Sequence, residues 1–423
     1  MPPLIEITSL AYGGAGIGRL DGKVTFVPYT APGDIALVKI TGGKNNFNYA
    51  ELVELKTPSA LRVSPACPVF MRCGGCQWQH IGYPHQVEWK HEIFAETLKR
   101  IAGVKPSGNL KEPIPSPKPF NYRSRARFHT DGKKWGFFEV KSHDIVDIAE
   151  CPLLEPLINS TFRDIKNAGQ PEALHSVDIA LDTKNSKTVA AFYLREPAPI
   201  GLAGALKKVV EKGDLKGYEV YLKKPFKRGR GERIESRGDT TVGYDAFGAT
   251  ISSGITVFSQ SNLFQNEGII KTALEFAGLE GKEDILDLYC GAGNLTIPLA
   301  KRAGKAIGID SDEEAIASAR LNAKANSCGA IEFIAESALR SKILERYAPR
   351  VVVLDPPRGG GPDVIRKIAA SGVKKIVYVS CSPPTMARDI AVLIKNGYRL
   401  SVAVCVDMFP QTYHIEAVAG LAL

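Results

Sequence analysis

One stretch of this sequence leaves little freedom about the fold around it. EDILDLYCGAGNLTIPLAKRAGKAIGID reads as a short buried strand, ILDLY, then a tight turn at Gly291 and Gly293. A helix opens at LTIPLAKRA with Pro298 in its early turns, and a second strand, KAIGID, ends on Asp310. Strand, glycine turn, helix and strand in that order predict parallel pairing, with the turn at the carboxyl edge of a sheet. The alternation continues from about Asp245 to the end, so a doubly wound, Rossmann-like α/β domain is expected over 241–423. Two further apolar strands end on Asp355 (RVVVLDPPRGGG) and Cys381 (KKIVYVSCSPPTMARD). Ligands of open α/β sheets sit beyond such strand ends, which places both residues at the crevice of the glycine turn. DMFPQTYHIEAVAGLAL closes the chain, with His414 and Glu416 just before a last apolar strand.

The turn is G-x-G-x-x-T rather than G-x-G-x-x-G, with Asp287 four residues before Gly291. That form suits S-adenosylmethionine, which has no pyrophosphate to cradle; a nicotinamide site is the alternative for so short a pattern. Asp310, 19 residues after Gly291, is placed to accept hydrogen bonds from both ribose hydroxyls. Cys290 fits as a small packing residue. A thiol beside such a site has a specific use. Carbon 5 of a pyrimidine is a poor nucleophile until a thiolate adds to carbon 6; a base must afterwards take the proton from carbon 5. Cys381 can be that thiol and a carboxylate that base. The plain alternatives are a buried strand-end Cys381 and a surface acid at Glu416. A free thiol is only slightly ionised at neutral pH, so some group must lower its pKa or accept its proton.

Upstream the composition changes. Within 1–60, GKVTFVPYT, DIALVKI and NYAELVEL alternate with turn clusters, which predicts a small closed β-barrel. Gly13, Gly14, Gly16 and Gly18 fit no dinucleotide loop and read as turn glycines. Residues 61–240 form the expected central α+β domain. HQVEWKHEIFAETLKRIAGV is an amphipathic helix with Val87, Ile93, Phe94, Leu98 and Ile101 at helical spacing, and KPSGNLKEPIPSPKPF is a Pro-rich linker. Cys67, Cys73 and Cys76 follow C-x5-C-x2-C, with Cys151 distant. Such a set can hold an iron–sulfur cluster; zinc and unliganded thiols stay open, although only Cys73 and Cys76 form a knuckle. Arg123, Arg125 and Arg127 alternate at period two, so on a strand they share one face beside Tyr122 and Phe128. That face suits an RNA backbone, and a solvated strand face is the alternative. KKPFKRGRGERIESR reads as an exposed hairpin adding phosphate affinity. The chain carries 54 Lys and Arg against 45 Asp and Glu, a net charge of +9, which favours a polyanionic partner only weakly. No long apolar run and no apolar leader is visible, so a cytoplasmic protein without a membrane span is expected.

Taken together, these residues resemble the S-adenosylmethionine-dependent RNA 5-methyluridine methyltransferases over nearly the whole length. The first 60 residues look like a TRAM domain, which implies RNA binding. CPVFMRCGGCQWQH with Cys151 is similar to the family's four-Cys [4Fe–4S] motif. FSQSNLFQNE resembles the block before the catalytic fold, which implies that Gln260 contacts the cofactor. Tyr289 and Asn294 fall at cofactor positions, Asp310 at the ribose acid and Asp355 at an active-site acid near both cofactor and uracil. SCSPPTMARD resembles the nucleophile motif and FPQTYHIE the closing motif, so Cys381 would be the covalent catalyst and Glu416 the general base. The expected substrate is a uridine of 23S ribosomal RNA, with transfer RNA as the alternative, and the expected state is a monomer with no obligate protein partner. The helix at 85–105 tends in this family to pack on the catalytic domain. Rivals fit less well. An RNA cytosine-5 enzyme usually shows a second Cys after Pro, absent after Asp355. An adenine amine enzyme wants an aromatic where Arg358 stands. An iron–sulfur oxidoreductase or a non-catalytic RNA-binding protein would leave Asp355, Cys381 and Glu416 unexplained.

Overall fold

The computed structural model describes residues 2–105, 108–168, 173–196, 209–222 and 231–423. The first strands are β1 (Leu4–Leu10), β2 (Gly16–Leu20), β3 (Lys23–Val27), β4 (Ile35–Lys44) and β5 (Phe47–Thr57). They close into a barrel in the order β1-β2-β3-β5-β4. Alternation explains the closure: Ile5, Ile7, Val27, Ala36, Val38 and Ala50 point inward and form its small core.

The central region is a seven-stranded sheet made of β6 (Arg125–Thr130), β7 (Trp135–Phe138), β8 (Ile145–Asp147), β9 (Leu174–Asp182), β10 (Lys187–Leu194), β11 (Leu215–Leu222) and β12 (Glu232–Gly238). Its order is β12-β11-β10-β9-β6-β7-β8. One face is covered by a helix, Pro156–Asn167, whose Ile158, Phe162 and Ile165 meet Phe128, Val177 and Phe192. Of the basic stretch KKPFKRGRGERIESR, residues 223–230 lie outside the described residues; the remainder runs along the exposed edge strand β12.

A hairpin, β13 (Thr241–Ala246) and β14 (Ala249–Gly254), leads into the last sheet. That sheet comprises β15 (Ile285–Leu288), β16 (Ala306–Asp310), β17 (Ile331–Ala335), β18 (Val351–Leu354), β19 (Lys375–Ser380), β20 (Arg399–Val406) and β21 (Glu416–Ala422), in the order β17-β16-β15-β18-β19-β21-β20. The first five strands are parallel and β21 inserts antiparallel beside β19. All four residues of β18 are buried because the sheet is covered on both faces: Val352 and Leu354 join one apolar layer, Val351 and Val353 the other. This is the doubly wound domain expected from the glycine turn.

Two segments before that domain are built into it. The helix α1 (Tyr83–Thr97) continues as a π-helical turn, Leu98–Ala102. Ile93, Phe94 and Leu98 pack with Leu286, Tyr378 and Ile390, while Ile101 remains 45% exposed, because the π turn shifts its phase away from the apolar face. The fully buried Lys90 ammonium bonds Asp407 at 2.6 Å and the Phe409 carbonyl at 2.9 Å, tying α1 to the segment before β21. The Pro-rich stretch is no free linker. Leu110 and Ile114 bridge in parallel to Ala403 and Val406, and the Lys111 and Ile114 amides donate to Ala403 and Cys405 at 2.8 Å. Edge strand β20 offers unpaired backbone groups there, and a Pro-containing segment covers them without extending the sheet further.

Candidate active site

The local geometry starts at the loop after β15. The Tyr289 and Cys290 amides both donate to the Ile309 carbonyl, at 2.9 and 3.0 Å. Tyr289 is left-handed (φ 68°), a strained conformation for a side-chain residue, and Gly293 follows at φ 90°. A Cβ on Gly293 would come within 2.9 Å of Ile297, so the turn admits only glycine. The Gly291 amide donates to Asp310 Oδ2 at 2.9 Å, and the Asp312 amide to Asp310 Oδ1 at 2.9 Å, which fixes the acid at the end of β16. The Thr296 hydroxyl donates to Asp287 Oδ2 at 2.6 Å.

Beyond these strand ends lies a pocket enclosing about 410 Å³, walled by Gln260, Asp287, Tyr289, Gly291, Asn294 and Asp355. Burial raises the Asp287 carboxyl to about 7, and its Oδ1 is buried without a hydrogen-bond partner among the described residues. Gln260 Nε2 donates to Asp355 Oδ2 at 3.4 Å. Asn294 and Asn266 exchange a pair of 2.8 Å amide bonds, so Asn294 shapes the wall through its backbone position while its amide is already engaged. Gly293 and Asp310 support the loop without lining the pocket. Tyr244, which reaches the pocket from β13, carries no local signal, and neither does a role for Phe258, 72% exposed at its mouth, although Phe258 opens the FSQSN block. An orphaned oxygen on Asp287, a second acid at Asp355 and an open aromatic fit a cationic, adenosine-bearing ligand such as S-adenosylmethionine.

The register of β19 on β21 sets the rest. Ser380 pairs with Ala417, so the next positions, Cys381 and Glu416, face each other where the two strands part. Because β21 runs antiparallel, its amino-terminal residue arrives at the carboxyl edge of the parallel strands, beside Asp355. Three groups read separately from the sequence therefore share one corner. Burial pushes Asp355 to about 7, and burial followed by the charge of Asp355 pushes the Glu416 carboxyl well above its ordinary range. Burial, then Glu416 and Asp355, push the Cys381 thiol up to about 11. At neutral pH roughly one thiol in 10⁴ is ionised at that value, so attack requires the proton to leave as the substrate binds. Arg358 is the cation that counters this, acting on both Cys381 and Glu416. Sequence reasoning quoted Arg358 only against an adenine site; its signal was its place directly after Asp-Pro-Pro. Replacing it, Arg358→Met, should move alkylation of the Cys381 peptide by iodoacetamide to higher pH, read by mass spectrometry; an unchanged pH profile would exclude the role.

With this geometry in hand, the likeness to known proteins is specific. The pattern of the tRNA (Uracil-5-)-methyltransferase family matches residues 251–423, and that of the TRAM domain matches residues 4–53. A 23S rRNA (uracil(1939)-C(5))-methyltransferase RlmD from Francisella tularensis subsp. novicida is 32% identical, over 98% of this chain and 95% of its own. The chain belongs to the RNA (uracil-C5)-methyltransferases. An enzyme of the same description from Thiobacillus denitrificans is 32% identical over 99% of both chains. The crystal structure of Pyrococcus abyssi tRNA (uracil-54, C5)-methyltransferase in complex with S-adenosyl-L-homocysteine covers 99% of this chain and 100% of its own, at 27% identity and a TM-score of 0.78. This methyltransferase is thus an S-adenosylmethionine-dependent enzyme that modifies uracil in RNA.

Two other expectations meet the structure differently. The arginine row exists as an alternation, but it is not an open cationic face. Arg125 donates to the Ile255 and Val257 carbonyls at 2.7 and 2.9 Å and to Ser259 at 3.0 Å, tying the central sheet to the pocket wall. Arg127 forms a two-bond pair with Asp178, both at 2.6 Å, over the Tyr193 ring, and Arg123 lies against the cysteines. The carbonyls of the 255–259 strap, invisible in a local reading, draw Arg125 inward, while Arg127 stays half-exposed above Asp178 of β9. As to metals, no group of three or more His, Cys, Asp or Glu among the described residues is arranged to hold an ion. Cys67, Cys73, Cys76 and Cys151 nevertheless line one apolar pocket of about 530 Å³. Burial, reinforced by the neighbouring thiols, raises Cys76 to about 12 and Cys151 to about 11.

Proposed function

We propose that this methyltransferase forms 5-methyluridine at one uridine of 23S ribosomal RNA through a covalent bond from Cys381. The observation that carries the chemistry is the opposition of Cys381 and Glu416 beside the pocket of Asp287, Tyr289 and Gly291. The ribosomal target is supported by the full-length likeness to the RlmD relatives. The bound sulfonium supplies an electrophilic methyl group. The target base leaves its stack to enter the crevice, as base-modifying enzymes require. Cys381 adds to carbon 6, its proton passing to the adjacent carboxylate pair, and carbon 5 attacks the methyl. Glu416 then removes the proton from carbon 5 and the thiolate departs, restoring the ring. Asp355 holds Gln260 and shares the charge of Glu416. Asp310 is the group for the ribose.

The four central cysteines would hold a [4Fe–4S] cluster: their donor set is all thiol, their pocket is lined mostly by apolar groups, and Arg123 beside them offsets their charge. Its place is structural, since the methyl transfer needs no electron. Iron and acid-labile sulfide in anaerobically purified protein test this, and absence of both would reject it. We take the domains as 1–60, 61–240 and 241–423, with α1 built into the last. We take the enzyme to act as a monomer in the cytoplasm, where its RNA is made. Nucleoside mass spectrometry of RNA from cells with and without the protein tests the target. Loss of one 5-methyluridine from 23S RNA is expected; loss from transfer RNA instead favours the target of the Pyrococcus neighbour, and loss from neither rejects both.

A further inference from the structure

The barrel is joined to the crevice by its first turn, Ala11–Ala15. The turn is closed by the Ala11 amide on the Ala15 carbonyl (2.8 Å) and the Gly14 amide on the Ala11 carbonyl (3.0 Å). The fully buried Trp78 indole donates to the Gly14 carbonyl at 3.0 Å. Gly14 is left-handed (φ 91°), and a Cβ there would lie 3.1 Å from Gln77 and 3.2 Å from Tyr413. The Gln77 and Trp78 amides both donate to the Gln411 carbonyl, at 3.2 and 3.0 Å, so turn, Cys-rich segment and closing motif interlock. This docking delivers Tyr12 to the catalytic corner. Its ring meets Tyr413 edge-on at 5.8 Å, and Tyr413 packs on His414 at 4.3 Å, two residues before Glu416. Its hydroxyl lies beside the Ser382 side chain, next to the nucleophile, close enough to feel Cys381 and Arg358. Ser382 in turn donates to Thr385 at 2.9 Å, and Thr385 to the Arg358 carbonyl at 3.2 Å. The Tyr12 hydroxyl thus stands against the start of a pair of bonds that links the Cys381 loop to the Arg358 loop.

We propose that Tyr12 of the barrel is a positioning residue for the nucleophile, so that the barrel takes part in the chemical step as well as in holding RNA. The proposal rests on the uridine-methylating reading above. Tyr12 acts through Ser382 on the loop of Cys381 and through Tyr413 on the strand start of Glu416. Removing such a brace should alter the rate with bound RNA and leave affinity nearly unchanged. The full-length enzyme, a uridine RNA and S-adenosylmethionine suffice to test it, with single-turnover methylation at saturating RNA and affinity by filter binding. Tyr12→Ala should lower the saturating rate about tenfold or more, as small misplacements of reacting groups do, with affinity for RNA within about twofold of wild type. Tyr12→Phe keeps the ring and should fall between. Tyr12→Phe and Ser382→Ala remove the same hydroxyl–hydroxyl contact from its two ends, so the double variant should be no slower than the slower single one. A wild-type saturating rate in Tyr12→Ala, or fully multiplicative losses in the double variant, would overturn the proposal. Failure of the wild type to methylate any uridine would speak against the function itself instead.

Discussion

Cys381→Ala is expected to remove methyl transfer and covalent RNA attachment together. The thiol forms the bond that makes carbon 5 nucleophilic, and no neighbouring group can replace it: Asp355 and Glu416 are carboxyls, and Cys290 is buried in the glycine turn. Loss of a covalent nucleophile leaves only binding and orientation, so the fall in rate should be roughly 10⁴-fold or more. The fold should not suffer. Cys381 is half-buried at the end of β19, where Ala fits the strand end, and thermal unfolding should stay close to wild type. S-adenosylmethionine should still bind, because the pocket walls come from other strands. A Cys381→Ala enzyme that methylates uridine at an appreciable rate would reject the covalent route.

Glu416→Gln should produce the opposite signature, an adduct that persists. The amide is isosteric with the buried carboxyl and leaves addition and methyl transfer possible, but it cannot take the proton from carbon 5. Turnover should drop about 10²- to 10⁴-fold, the usual contribution of a general base, while a denaturation-resistant RNA–protein complex accumulates. The raised carboxyl pair also sets a pH dependence. A carboxyl whose folded pKa lies above its unfolded value is charged only at higher pH, so proton removal speeds up as pH rises through the elevated pKa of Glu416. The same pair weakens the fold as pH rises from the ordinary carboxylate range to its raised folded values, since the unfolded chain has by then lost protons that the buried pair still holds. In Glu416→Gln the rise in rate should flatten. A slow variant with no accumulated adduct would move the base to another residue.

How much of this could be read in the sequence depends on how local each signal is. The glycine turn, Asp310, Asp355 and Cys381 were legible because strand ends in a parallel sheet all open onto one edge, a rule that needs no side-chain contacts. Glu416 was legible only through the resemblance of FPQTYHIE. By itself an acid before a strand says nothing; its position follows from the antiparallel insertion of β21, a fact of topology. The barrel was readable from alternation and turns, whereas its docking through Gly14 and Tyr12 was not, since the partners stand some 60 to 400 residues away. The bonds of Arg125 and Arg127 were hidden for a related reason. Period two placed them correctly, but their partners, Asp178 and the 255–259 carbonyls, arrive from other strands and consume the charge. The stretch 105–120 looked like a linker because prolines mark both linkers and protected sheet edges, and only the neighbour β20 tells them apart.

The most direct measurement uses RNA in which the target uridine is replaced by 5-fluorouridine. After addition and methyl transfer, carbon 5 of that base carries fluorine where Glu416 would find a proton, so the enzyme cannot release it. Wild-type enzyme incubated with this RNA and S-adenosylmethionine is expected to become covalently attached, with a methylated fluoropyrimidine on the Cys381 peptide by mass spectrometry. An unmodified Cys381 peptide from an enzyme that methylates ordinary uridine in the same RNA would contradict the covalent route.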